Sequence, residues 1–136
     1  MSRSGYNDDI DEWALIRWRG AVRSAIRGKR GQAFLKEMLA AFDALPDKRL
    51  ISHDLERDGC VCALGAAGKA RDMDMSGIDP EDHDTVAGEF AIAHALACEI
   101  MFRNDECGRN DETPEQRFVR MRKWIESRLR KEAEAA

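Results

Sequence analysis

Between residues 13 and 45, apolar side chains return every three or four positions, interrupted once at Gly28-Lys29-Arg30-Gly31 and stopped at Pro46. That interval places them along one side of a helix, whereas a strand would alternate them between two faces. Ala14, Leu15, Trp18, Ala21, Val22, Ala25 and Ile26 share one face in the first half. Phe34, Leu35, Met38, Leu39, Phe42 and Leu45 do so in the second. The pattern predicts a first helix over 9–27, with Gly28 as its left-handed cap. A second helix restarts near Gly31 or Gln32, and the short connection makes the pair antiparallel.

The rest of the chain is punctuated in the same way. Asp79-Pro80 reads as an N-cap followed by a proline in the first turn, opening a helix that carries Val86, Phe90, Leu96 and Ile100 in phase. Thr113-Pro114-Glu115-Gln116 has the spacing of a capping box, and Phe118, Met121, Trp124, Ile125 and Leu129 follow at helical intervals. Over 62–71 the run of small residues suits a short, closely packed helix. Between 49 and 62, Ile51, His53 and Leu55 alternate before Asp58-Gly59, which has the chemistry of a tight hairpin turn. With 136 residues, 43% of them hydrophobic, the chain can fill one core. The expectation is a mainly α, compact single domain of four to five helices over 9–130, with one short β-hairpin near 49–62. A disordered lead-in over 1–8 and a frayed end over 131–136 flank it.

Charge is segregated. Residues 13–36 hold Arg17, Arg19, Arg23, Arg27, Lys29, Arg30 and Lys36 and no acid, whereas residues 51–112 hold five basic against fifteen acidic residues. Arg19, Arg23 and Arg27 recur at four-residue intervals on the flank of the first helix, and Lys29 and Arg30 lie in the turn after it. Guanidinium forks in a row suit carboxylate or phosphate. Arg17, Arg19, Arg23, Arg27, Lys29 and Arg30 are therefore the expected binding surface, for a protein or a phosphate-bearing ligand. The competing reading is internal pairing with the acidic middle of the chain.

Other motifs fall short of their templates. Asp72-Met-Asp74-Met-Ser76-Gly77 begins like a calcium loop, but its twelfth position is His83 where a bidentate glutamate is needed. Residues 86–100 have the apolar spacing of a helix-turn-helix, with Ala91 at the turn position. The second helix of that unit lacks the Arg, Lys, Asn, Gln, Ser or Thr that read base edges, so no sequence-specific DNA reading is expected. His53-Asp54 and His83-Asp84 are adjacent in sequence, which does not turn the side chains toward each other, and His94 reads as a packing residue. No catalytic residues and no cofactor are assigned. Cys60, Cys62, Cys98 and Cys107 show no disulfide framework. The alternative function is a small enzyme or zinc-binding protein centred on His53, Cys60 and Cys62. No run approaches the roughly 18 apolar residues of a membrane helix. The first residues also lack a signal-peptide core, so a cytoplasmic protein is expected.

The strings WRGAVRSAIRGKRGQAFL (18–35), CALGA (62–66), NDE (104–106) and ETPEQR (112–117) resemble a group of uncharacterised bacteriophage and prophage proteins. The resemblance runs over about residues 13–129. It implies a phage origin and action in the bacterial host cytosol, and favours binding; the expected function is a small non-enzymatic accessory protein that binds a host nucleotide, nucleic acid or acidic protein surface, acting in counter-defence. It transfers no functional residue.

Overall fold

A computed structural model describes residues 3–4 and 12–130. Six helices and one hairpin follow each other as α1 (Glu12–Arg27), α2 (Lys29–Ala44), β1 (Glu56–Arg57), β2 (Cys60–Val61), α3 (Ala63–Ala70), α4 (His83–Phe90), α5 (His94–Glu106) and α6 (Pro114–Arg128). The mainly helical reading and the hairpin both hold. The helix count rises to six because the segment expected as one long helix is broken at Ala91.

Local chemistry accounts for most boundaries. Gly28 is extended (φ −68°, ψ 160°) and serves as the N-cap of α2, so it is not the left-handed cap expected from sequence. Asp58 and Gly59 both have positive φ, the geometry that lets a two-residue turn follow strand twist, and Arg57 pairs with Cys60 across it. Thr113 and Gln116 complete their reciprocal capping box at the start of α6. Asp79 instead accepts from Glu81 N within the preceding loop. Asp82 caps α4, its carboxylate accepting from Thr85 N at 3.3 Å, so the helix begins three residues later than Pro80 suggested. Ala91 stops α4 in the left-handed region (φ 55°, ψ 44°), and α5 leaves at 109° to α4.

The core is built around α3. Its residues 63–68 are all buried, and it packs on α2 and α5. A Cβ at Gly65 would lie 1.9 Å from Leu55 O, and one at Gly31 would lie 1.8 Å from Ala25 O. These glycines set how closely α3 meets the hairpin approach and α2 meets α1. Around them Leu35, Met38, Phe42, Leu64, Phe90, Ile100, Met101, Met121 and Ile125 form one cluster. Each such side chain contributes roughly 1.5–3 kcal/mol through removal from water. On α1, Val22 and Ile26 are buried, Ala14, Leu15, Trp18 and Ala25 half-buried, and Ala21 exposed. Trp18 is thus an edge residue of the core, packed against it rather than enclosed. No single helix among the described residues is long and apolar enough to cross a membrane.

Ala91 generates a prediction. An L-residue in the left-handed region costs about 1–2 kcal/mol, and this exposed alanine loses little else when its methyl is removed. Ala91→Gly is expected to raise the unfolding free energy by about 1 kcal/mol in urea titrations, and a lower midpoint would contradict this account of the turn.

Candidate functional site

Three polar constellations stand apart from the apolar core. The first is buried and joins distant parts of the chain. Arg3 and Ser4 fall within the expected lead-in, and both are buried; residues 1–2, 5–11 and 131–136, with the rest of the lead-in and the expected frayed end, lie outside the described residues. Arg3 donates through Nε and Nη2 to the two Asp105 oxygens (2.5 and 2.9 Å) and through Nη1 to Cys62 Sγ (3.6 Å). Ser4 Oγ donates to Glu106 at 2.7 Å. Asp105 also accepts from His53 N (3.1 Å) and Asn104 Nδ2 (2.7 Å). Burial alone pushes the Asp105 carboxyl up. The Arg3 guanidinium, the Asn104 amide and the His53 N–H outweigh it and hold the group below the usual carboxylate range.

His53, Cys60 and Cys62 take up separate positions around this network. Cys62 caps α3, its sulfur accepting from Gly65 N at 3.4 Å, while Cys60 lies on β2 and the exposed His53 ring sits 3.6 Å from Asp105. Among the described residues the group whose ligand atoms converge is a different one, His83, His94 and Cys98.

That second constellation sits at the α4–α5 corner. His83 opens α4, and His94 and Cys98 are four residues apart on α5, one above the other on one helix face. The turn at Ala91 folds α4 back, so His83 Nδ1 and His94 Nε2 face each other at 2.5 Å. Cys98 Sγ is 3.4 Å from the same His94 nitrogen. Asp84 Oδ1 is 3.4 Å from His94 Nε2 and 3.9 Å from His83 Nδ1. Burial, with Asp84 and Glu99 nearby, pushes the Cys98 thiol up to about 12. The Trp18 ring meets His94 edge-on, at 5.7 Å between centroids. His83 thus lies near its neighbour Asp84, but His94, brought in by the bend, comes closer to the same carboxylate. The signal in the sequence was the His94–Cys98 interval, and what it lacked was any sign of the bend.

The third constellation is the outer face of α1. At 100° per residue Trp13, Ile16, Arg17, Gly20, Arg23, Ser24 and Arg27 point away from the core. Trp13 is 72% and Ile16 54% exposed. Arg17, Arg19, Arg23, Arg27, Lys29 and Arg30 are all exposed, and none makes an ion pair with a described residue. Four acids elsewhere are engaged by other arginines: Glu37 by Arg71, Asp43 by Arg122, Glu99 by Arg103, and Glu112 by Arg120. A methyl group at Gly20 would meet nothing within 4 Å, so packing among the described residues does not require the glycine.

No protein family, curated protein or solved structure matches the chain.

The Arg3–Asp105 pair makes a measurable contribution. Removing one partner of a buried pair leaves the other uncompensated, at roughly 3–5 kcal/mol, and Arg3→Ala is expected to fall in that range at neutral pH. Because the folded carboxyl is depressed, its contribution is complete above the unfolded value of about 3.9 and is lost as pH falls through the folded value. The stability gap between wild type and Arg3→Ala is therefore expected to narrow in acid. A gap that is the same at pH 7 and pH 2.5 would remove Asp105 from that role.

Proposed function

We propose that this protein is a non-enzymatic binding module that captures an acidic patch on another protein through the outer face of α1. The observation that carries this reading is the row of exposed cations that form no ion pair with any described residue. The bland alternative requires the acidic middle of the chain to neutralise them. Of those acids, Glu99, Glu112 and Asp105 are instead paired with Arg103, Arg120 and the buried Arg3. Trp13 and Ile16 add an apolar anchor beside the charges, and Trp with Arg is the combination most enriched at interface hot spots.

Gly20 supports the same face. A glycine inside a helix costs roughly 0.5–1 kcal/mol relative to alanine, and nothing around this one repays it. It lies at the centre of the face, between Trp13, Ile16 and Arg17 on one side and Arg23, Ser24 and Arg27 on the other. A partner approaching the helix backbone closely accounts for it.

A protein partner is favoured over nucleic acid because the whole chain carries a net charge of −4. The helix-turn-helix-like corner adds to this, since α5 is buried from Ala95 to Met101 and has no face to lay in a groove. Duplex DNA is expected to bind weakly at most, with the binding abolished by salt. The resemblance to phage proteins points to a host protein in the bacterial cytosol as the target, and to counter-defence as the setting.

Two expectations test the reading. Arg23→Ala with Arg27→Ala removes two charge-assisted contacts of roughly 1.5–3 kcal/mol each, while surface changes of this kind alter folding by only about 0.5 kcal/mol. The double variant is expected to keep its melting temperature and to lose, in pull-downs from host lysate quantified by mass spectrometry, the protein that wild type retains and salt elutes. Capture that survives both the substitutions and salt would move the site off α1. At the centre of the face, Gly20→Ala is expected to stabilise the fold by about 0.5–1 kcal/mol, whereas Gly20→Leu keeps the fold and blocks capture. Full capture by Gly20→Leu would show that no partner approaches there.

A further inference from the structure

We infer that His83, His94 and Cys98 form a binding site for a borderline-soft divalent cation of the zinc type, with Asp84 as its fourth ligand. Two imidazole nitrogens and one sulfur, all within 4.8 Å of one another, point at one small volume at the α4–α5 corner. Imidazole and thiolate together select zinc-like ions over calcium or magnesium, which take oxygen. With Zn–N distances of about 2.0–2.1 Å, two ligating nitrogens stand roughly 3.3 Å apart. The His83 and His94 nitrogens, at 2.5 Å, need to separate by less than 1 Å to admit an ion. Cys98 Sγ, at 3.4 Å from His94 Nε2, is already near tetrahedral spacing.

The surroundings fit a structural site better than a mere pair of hydrogen-bonded histidines. His94 is held by the edge of Trp18 and by its place on α5, and Cys98 is buried on the same face. Asp84 is 81% exposed at its side chain, so it is free to rotate onto the open side of the cluster from its present 3.4 Å contact. On binding, the Cys98 thiol releases its proton to solvent as the sulfur–metal bond forms. The ion would tie α4 to α5 across the left-handed turn at Ala91, where the backbone alone is strained. The site lies on the inner side of α1 and does not depend on the arginine face.

The full chain, stripped with chelator, is titrated with Co²⁺ and then Zn²⁺. The expected result is one Co²⁺ per chain, a sulfur-to-cobalt charge-transfer band with a tetrahedral visible spectrum, displacement by Zn²⁺ and a higher melting temperature. His83→Gln and Cys98→Ser are expected to abolish the band, whereas Cys60→Ser with Cys107→Ser leaves it intact. Asp84→Asn is expected to weaken binding by roughly tenfold to a hundredfold. Absence of the band at stoichiometric Co²⁺ overturns the proposal, and so does a band that persists in His83→Gln. Because His83 is only half-buried, that variant decides the matter even where Cys98→Ser does not fold.

Discussion

Asn104 is the side chain on which the separate parts of this fold meet. It is fully buried, its Oδ1 accepts from Ala63 N at the start of α3, and its Nδ2 donates to Ile51 O and to Asp105. Its own carbonyl accepts from Arg117 and Arg120 of α6. One amide therefore positions the loop before the hairpin, the first turn of α3 and the end of α5. The same stretch of α5 receives Arg3 through Asp105. In a low-dielectric interior such a network is stabilising only when every member is satisfied, so its geometry leaves little freedom in how these elements can be arranged.

Apolar clusters tolerate sliding; polar networks do not. The core supplies most of the favourable energy here, but its contacts among Leu, Met, Phe and Ile allow many similar packings. Register comes from the buried amide, from the cap made by Cys62, and from the glycines at 31 and 65 that let backbones approach. Several ion pairs outside α1 serve this internal positioning, whereas the α1 cations form none with a described residue.

Features carried within a few residues of sequence were readable. The capping box at Thr113 and Gln116 and the Asp58-Gly59 turn each follow from local backbone chemistry, and both occur as expected. Helical spacing likewise gave the buried sides of α2 and α6. What escaped depended on distant partners or on a residue acting out of type. Ala91 adopts a conformation usually left to glycine, so its residue type does not mark the break between α4 and α5. Asp82 displaces Asp79 as the cap because the Asp79 carboxylate is engaged by Glu81 N. Arg3 finds Asp105 across 102 positions, and His83 reaches His94 only through the bend. The arginine row itself was plain in the sequence, but whether acids neutralised it could be read only from the folded chain.

Under the proposed capture, the charge separation would also govern how an encounter proceeds. A molecule of net charge −4 and an acidic partner would repel each other at long range, and salt would weaken that repulsion beyond roughly 8–10 Å. Attraction would operate when α1 leads. Collisions on other sides would be turned away, so the anionic body would act as an orientation filter before any contact forms. The cations would then govern how often a productive meeting occurs, while Trp13 and Ile16, once desolvated, would govern how long it lasts.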